Sequence, residues 1–105
     1  MSIITLTHGD KEYELTYTRE TARMMQMNGF DIQEIRSKPN VMIPLLFRGA
    51  FFARHKDVKT KVTDEIYDQI NDRTGLISEL IGMYQECIDS LFDEPESGNV
   101  SWKKC

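Results

Sequence analysis

The chain has 105 residues, 40% of them hydrophobic and 29% charged, with a formal net charge of −4. That is one domain's worth of chain, with apolar residues enough for a single modest core. The acidic balance argues against a broad electrostatic grip on nucleic acid, which needs a basic face.

The start, MSIITLTHGDKEYEL, has no basic residues ahead of an apolar run, so no signal peptide is expected. Residues 3–7, IITLT, and 12–17, EYELTY, have strand composition. Ile4 and Leu6 alternate with Thr5 and Thr7, and Tyr13, Leu15 and Tyr17 alternate with Glu14 and Thr16. With His8-Gly9-Asp10-Lys11 as a turn, the spacing predicts a β-hairpin over 3–17 with one aliphatic–aromatic face. A lone hairpin is marginal in water, so helices must cover that face.

The period changes at Thr18, which is placed to cap a helix over about 18–28 with Glu20 and Thr21 in its first turn. Ala22 and Met25, with Met24 beside them, face inward in this reading, and Asn28-Gly29 ends the helix in a left-handed cap. Asp31 caps a short helix over 31–37, broken at Lys38-Pro39-Asn40. Asn40 then caps a helix over about 41–55, with Pro44 in its first turn. Thr63 begins another over 63–72, with Asp64 and Glu65 set against the positive end of the dipole and Ile66, Tyr67 and Ile70 as its inner stripe. The last helix, 75–92, has the clearest pattern. Leu76/Ile77, Leu80/Ile81, Tyr84, Cys87/Ile88 and Leu91/Phe92 follow one another at three-four spacing.

The expected fold is therefore α+β and mainly helical, an N-terminal β-hairpin packed on a bundle of four to five helices. It forms a single domain over 1–93. The remainder, 94–105, has Pro95, Gly98 and no period, and is expected to be a flexible tail.

Residues with chemical potential are scattered. His8 and His55 lack partners at metal-ligand spacing and are read as solvent-exposed. Cys87 and Cys105 give no disulfide framework and are read as reduced, in a cytosolic compartment. Cys87 also lies on an apolar stripe, where burial disfavours the thiolate. No glycine loop cradles phosphate, and Asp64, Glu65, Asp68 and Asp72 read as a solvated face rather than a catalytic pair. No catalytic residue, metal site or cofactor is assigned, and the chain is read as non-enzymatic. The cluster Arg54, His55, Lys56, Lys59 and Lys61 is the one candidate for nucleic acid. Without interleaved aromatics it reads more simply as a basic helix end and loop.

What remains is the stretch Val41–Ala53, VMIPLLFRGAFFA, whose only charge is Arg48. A membrane span needs about 20 apolar residues, so thirteen with a central arginine exclude one. Met42, Leu45, Leu46, Phe47, Phe51 and Phe52 point around nearly the whole helix. Either the other elements wrap this helix on every side, or a strip of it is left for a partner. Those six residues are the candidate partner-binding set.

The layout resembles the tail assembly chaperones of long-tailed bacteriophages. The likeness rests on G-D-K-E-Y-E-L-T-Y in the hairpin, N-G-F after the first helix, and then Pro39, Leu46-Phe47, Ala50-Phe51, Ala53 and His55-Lys56. V-T-D-E-I-Y-D-Q-I and a final L-I-G-M-Y-Q-E helix follow. The resemblance implies a non-enzymatic protein of the host cytoplasm, not expected in the mature virion, that binds and solubilises the tape measure protein. It implies the short form of a pair, whose frameshifted longer form recruits tail tube protein. A homo-oligomer is compatible with this reading. The rival expectations are a small nucleic-acid-associated regulator using 54–61 and a structural tail component.

Overall fold

The computed structural model describes residues 2–95 and 98–104. The expected reduced state of Cys105, and Glu96 and Ser97 of the expected flexible tail, lie outside the described residues.

Two strands, β1 (Ile4–His8) and β2 (Lys11–Leu15), form the antiparallel hairpin. Ile4 pairs with Leu15 and Leu6 with Tyr13, so all four side chains share one face. The helices that cover it are α1 (Arg19–Met27), α2 (Pro39–Phe51), α3 (Thr60–Asp68) and α4 (Arg73–Asp89). The α+β, mainly helical expectation therefore describes the architecture, a two-stranded hairpin followed by four helices.

Local chemistry explains α1 well. Thr18 and Thr21 form a reciprocal capping box, each hydroxyl accepting from the other residue's backbone N–H. At the other end the Gly29 N–H donates to the Gln26 carbonyl and the Phe30 N–H to the Met25 carbonyl. This is a Schellman closure, with Gly29 at φ +99°. Met25 is buried, but Met24 is exposed rather than inward-facing, because the nine-residue helix offers the core one narrow stripe.

Helix α2 starts and stops earlier than its expected 41–55. Pro39 occupies the first helical position, where a fixed φ is preorganised and the missing N–H costs little, so Lys38 is the cap and Asn40 is already helical. Pro44 consequently lies in the second turn, not the first. At the far end the Arg54 and His55 N–H groups both donate to the Phe51 carbonyl, which curls the chain out of the helix.

That exit leaves the Ala50 carbonyl without a helical partner, and the Thr16 N–H donates to it at 3.0 Å. One turn back, the Tyr17 hydroxyl donates to the Leu46 carbonyl at 2.6 Å. The chain leaving β2 is thus bonded directly to the α2 backbone.

The remaining corrections have similar causes. The expected 31–37 helix is a single 3₁₀ turn, Ile32–Glu34, whose Asp31 cap accepts from the Gln33 N–H. Helix α3 begins at Thr60, and Thr63 lies inside it, donating its hydroxyl back to the Thr60 carbonyl instead of capping. Asp64 and Glu65 are then beyond the first turn. Helix α4 is capped by Asp72, in the left-handed region at φ 55°, whose side chain accepts from the Gly75 N–H. It ends at Asp89, and a 3₁₀ turn over Ser90–Phe92 leaves Leu91 and Phe92 exposed instead of on the inner stripe.

The core centres on α2. Leu46, Ala50 and Phe51 are fully or almost fully buried together with Leu15, Ile66, Leu80 and Tyr84. Edge-to-face rings link the elements: Tyr67 to Phe47, Phe47 to Phe51, and Phe51 to Tyr13, with centroids 5.3, 5.2 and 5.4 Å apart. A second run joins Tyr17 to Tyr84 and Tyr84 to Phe30. At Gly49, α1 packs so closely that a methyl group would overlap the Met25 side chain. Phe51→Ala should cost about 3–5 kcal/mol in urea unfolding, whereas Phe52→Ala, half-buried, should cost roughly 1 kcal/mol.

Burial pushes the Tyr17 hydroxyl well above the ordinary tyrosine value of 10.0, and the neighbouring Tyr84 adds to the shift. The folded state therefore holds this proton more tightly than the unfolded chain. The associated stability is fully present below the unfolded value and is lost as pH rises through the folded one. Unfolding free energies from urea titrations between pH 8 and 11 should fall less steeply above pH ~10 in Tyr17→Phe, by up to about 1.4 kcal/mol per pH unit.

Candidate functional site

Met42, Leu46, Phe47 and Phe51 are buried, whereas Leu45 and Phe52 are half-buried. Four of the six candidate partner-binding residues are therefore core, because α1, α3, α4 and β2 all pack on α2. In the folded chain they are not available to a partner. The helix is nevertheless not covered on every side. Val41, Leu45, Arg48 and Phe52 recur at intervals of four, three and four, which brings them onto one face, and none of them is buried. Pro44, half-buried, borders that strip. The signal that marks this face in the sequence is Arg48, the one charge in the apolar stretch.

Arg48 crosses from the strip to α3. Its Nη2 lies 3.4 Å from Asp64 Oδ1, and its Nε is buried without a hydrogen-bond partner among the described residues. With both side chains partly exposed, the pair is worth at most about 1 kcal/mol. It fixes the arginine's direction, and Leu45 and Phe52 beside it stay half-buried on the strip.

The basic cluster is organised differently from its reading in sequence. His55 is not a free surface histidine: its Nε2 accepts the Glu14 N–H at 2.9 Å, and its ring meets Tyr13 edge-on with centroids 5.2 Å apart. Arg54 pairs with the Glu14 carboxylate at 3.3 Å. Two of the five basic residues thus hold the 52–58 loop to the outer side of β2. Lys56, Lys59 and Lys61 are exposed, and Lys56 and Lys59 line an open groove of about 630 Å³ shared with the acids Glu12 and Asp57. His8 is half-buried in the hairpin.

Burial raises the Cys87 thiol above its ordinary value against an opposing contribution from Arg19, so it stays protonated at neutral pH. Burial likewise raises Tyr84, whose hydroxyl lacks a well-formed hydrogen bond; Gln26 is the polar side chain placed to reach it and opposes the shift. Among the described residues no group of three or more His, Cys, Asp or Glu side chains is arranged to hold a metal ion. No helix of the described residues is long and apolar enough to cross a membrane.

One surface escaped the sequence reading. Of the eight large hydrophobics left exposed among the described residues, Leu91, Phe92, Val100 and Trp102 lie beyond the end of α4. The helical period through Leu91/Phe92 argued for burial, and only the change to a 3₁₀ turn reverses it.

Residues 1–105 match a family described as Domain of unknown function (DUF5055). The chain belongs to this family. No curated protein and no solved structure matches it. The DUF5055 chain is therefore read from its own surfaces. His55→Ala should cost about 1 kcal/mol by loss of the Glu14 hydrogen bond, while Lys59→Ala should stay within about 0.5 kcal/mol. Equal costs in urea titrations would contradict the structural role given to His55.

Proposed function

We propose that this DUF5055 protein is a non-enzymatic tail assembly chaperone of a long-tailed bacteriophage. It acts in the host cytoplasm, binds the tape measure protein, keeps it soluble while the tail tube assembles, and leaves before the virion is complete. The observation that carries the reading is the incompletely covered strip along α2, the exposed Val41 with the half-buried Leu45 and Phe52 around Arg48, on a chain of net charge −4. An amphipathic client helix presents apolar residues at three-four spacing, and such a strip receives it side by side. The acidic, highly charged remainder keeps the chaperone soluble while apolar area is offered. The order of hairpin, N-G-F turn, central apolar helix and final L-I-G-M-Y-Q-E helix supports the family resemblance on which the client's identity rests.

The reading of 54–61 as a nucleic-acid site draws less support. Arg54 and His55 are engaged with β2, and Lys56 and Lys59 line a groove that also contains Glu12 and Asp57.

The test is co-expression with the tape measure protein of the same phage. Val41→Asp and Phe52→Lys place each charge at the helix end whose dipole favours it, so the helix itself is not weakened. Both variants should keep the wild-type circular dichroism spectrum while the client moves from the soluble fraction to the pellet. A client that stays soluble with both variants would remove the strip as the site. A protein recovered in stoichiometric amount from purified virions would identify a structural tail component instead.

A further inference from the structure

A groove of about 720 Å³ opens where β2 leads into α1, against the C-terminal end of α4. Tyr17 and Met83, both buried, and the half-buried Cys87 give it an apolar floor. Glu20, Glu86 and Asp93 are exposed around it, and Arg19, which also lines it, spends its charge on a 2.9 Å hydrogen bond to the Ser90 carbonyl. This is the size and make-up of a site for a small apolar group with polar neighbours.

The same chain carries a segment of matching chemistry. Trp102 is the only tryptophan, is 88% exposed, and is followed by Lys103 and Lys104. Residues 98–104 are all exposed, and the radius of gyration is 15.8 Å, against about 13 Å for a compact domain of this length. The tail stands away from the body. It starts at Asp93, which also lines the groove, and nine residues on, Trp102 is within a reach of about 30 Å.

We propose that the groove receives the Trp102-Lys103-Lys104 segment of a second copy, so that two chains exchange tails about a two-fold axis. Because the tail's root and the groove are neighbours on one face, bringing those faces together sets each tail beside the other's groove. Both contacts form at once and the assembly closes at two subunits. The indole covers Tyr17, Met83 and Cys87, and the two lysines meet Glu20, Glu86 and Asp93, an arrangement that gives register as well as affinity. Leu91 and Phe92, exposed at the base of the tail, are drawn into the same contact.

The full chain alone provides the test, without any client. Sedimentation should show a monomer passing to a dimer as concentration rises, and the emission of Trp102 should shift to the blue with the same midpoint. Trp102→Ala and Glu86→Lys should each raise the dimer dissociation constant at least about tenfold. Reversing all three acids (Glu20→Lys, Glu86→Lys and Asp93→Lys) together with Lys103→Glu and Lys104→Glu should restore dimerisation. A chain that is monomeric throughout would overturn the proposal, as would a dimer whose tryptophan stays exposed. Tryptophan burial independent of concentration would mean that each tail folds onto its own groove, and would overturn it too. Loss of this dimer with client binding intact would leave the α2 strip reading untouched.

Discussion

Two backbone carbonyls of α2, one at its end and one a turn inside it, tie the hairpin to the central helix. The Ala50 carbonyl, at the buried helix end, must find a donor outside the helix, and that donor comes from a segment about thirty residues earlier in the chain. The Thr16 N–H and the Tyr17 hydroxyl reach the Ala50 and Leu46 carbonyls one turn apart on the same side of the helix. These bonds fix the angle at which the hairpin meets the helix, and with it the depth of Tyr13 and Leu15. They also explain why α2 stops where it does. Once Ala50 accepts from Thr16, the chain after Phe51 turns back over β2, where His55 and Arg54 close the arrangement against Glu14.

The parts of this design legible in the sequence are those with a local cause. Thr18 with Thr21, Asn28-Gly29 and the alternation of Tyr13 and Leu15 carry their structural instructions within a few residues. The helix starts near 40 and 60 were misplaced where two signals competed. Pro39 outweighed Asn40 because proline's fixed φ suits the first helical position, and Thr63 was free to bond backward inside a helix already begun. Neither the stop at Phe51 nor the bonding of His55 was legible, since both depend on β2 arriving from elsewhere in the chain.

The candidate site divides along the same line. Composition singles out the central helix but not its open side. Most of the residues that made it conspicuous, Leu46, Phe47 and Phe51 among them, are conspicuous because they are core. A uniformly apolar helix has no period to reveal its outward face, and the single arginine is the better guide. At the other end of the chain the period was too persuasive, extending an inner stripe to Leu91 and Phe92 past the point where the α-helix itself ends.

The central position of α2 has a consequence for how the protein is made. Its apolar wall includes α4, the last helix to be synthesised, and 38 residues separate Phe51 from Asp89. At the usual pace of translation, about 5–20 residues per second, roughly two to eight seconds pass between the two. During that interval the most apolar stretch of the chain has only the hairpin, α1 and, later, α3 to shelter it. A nascent chain in that state faces the same hazard of premature association that the finished protein is proposed to relieve in its client.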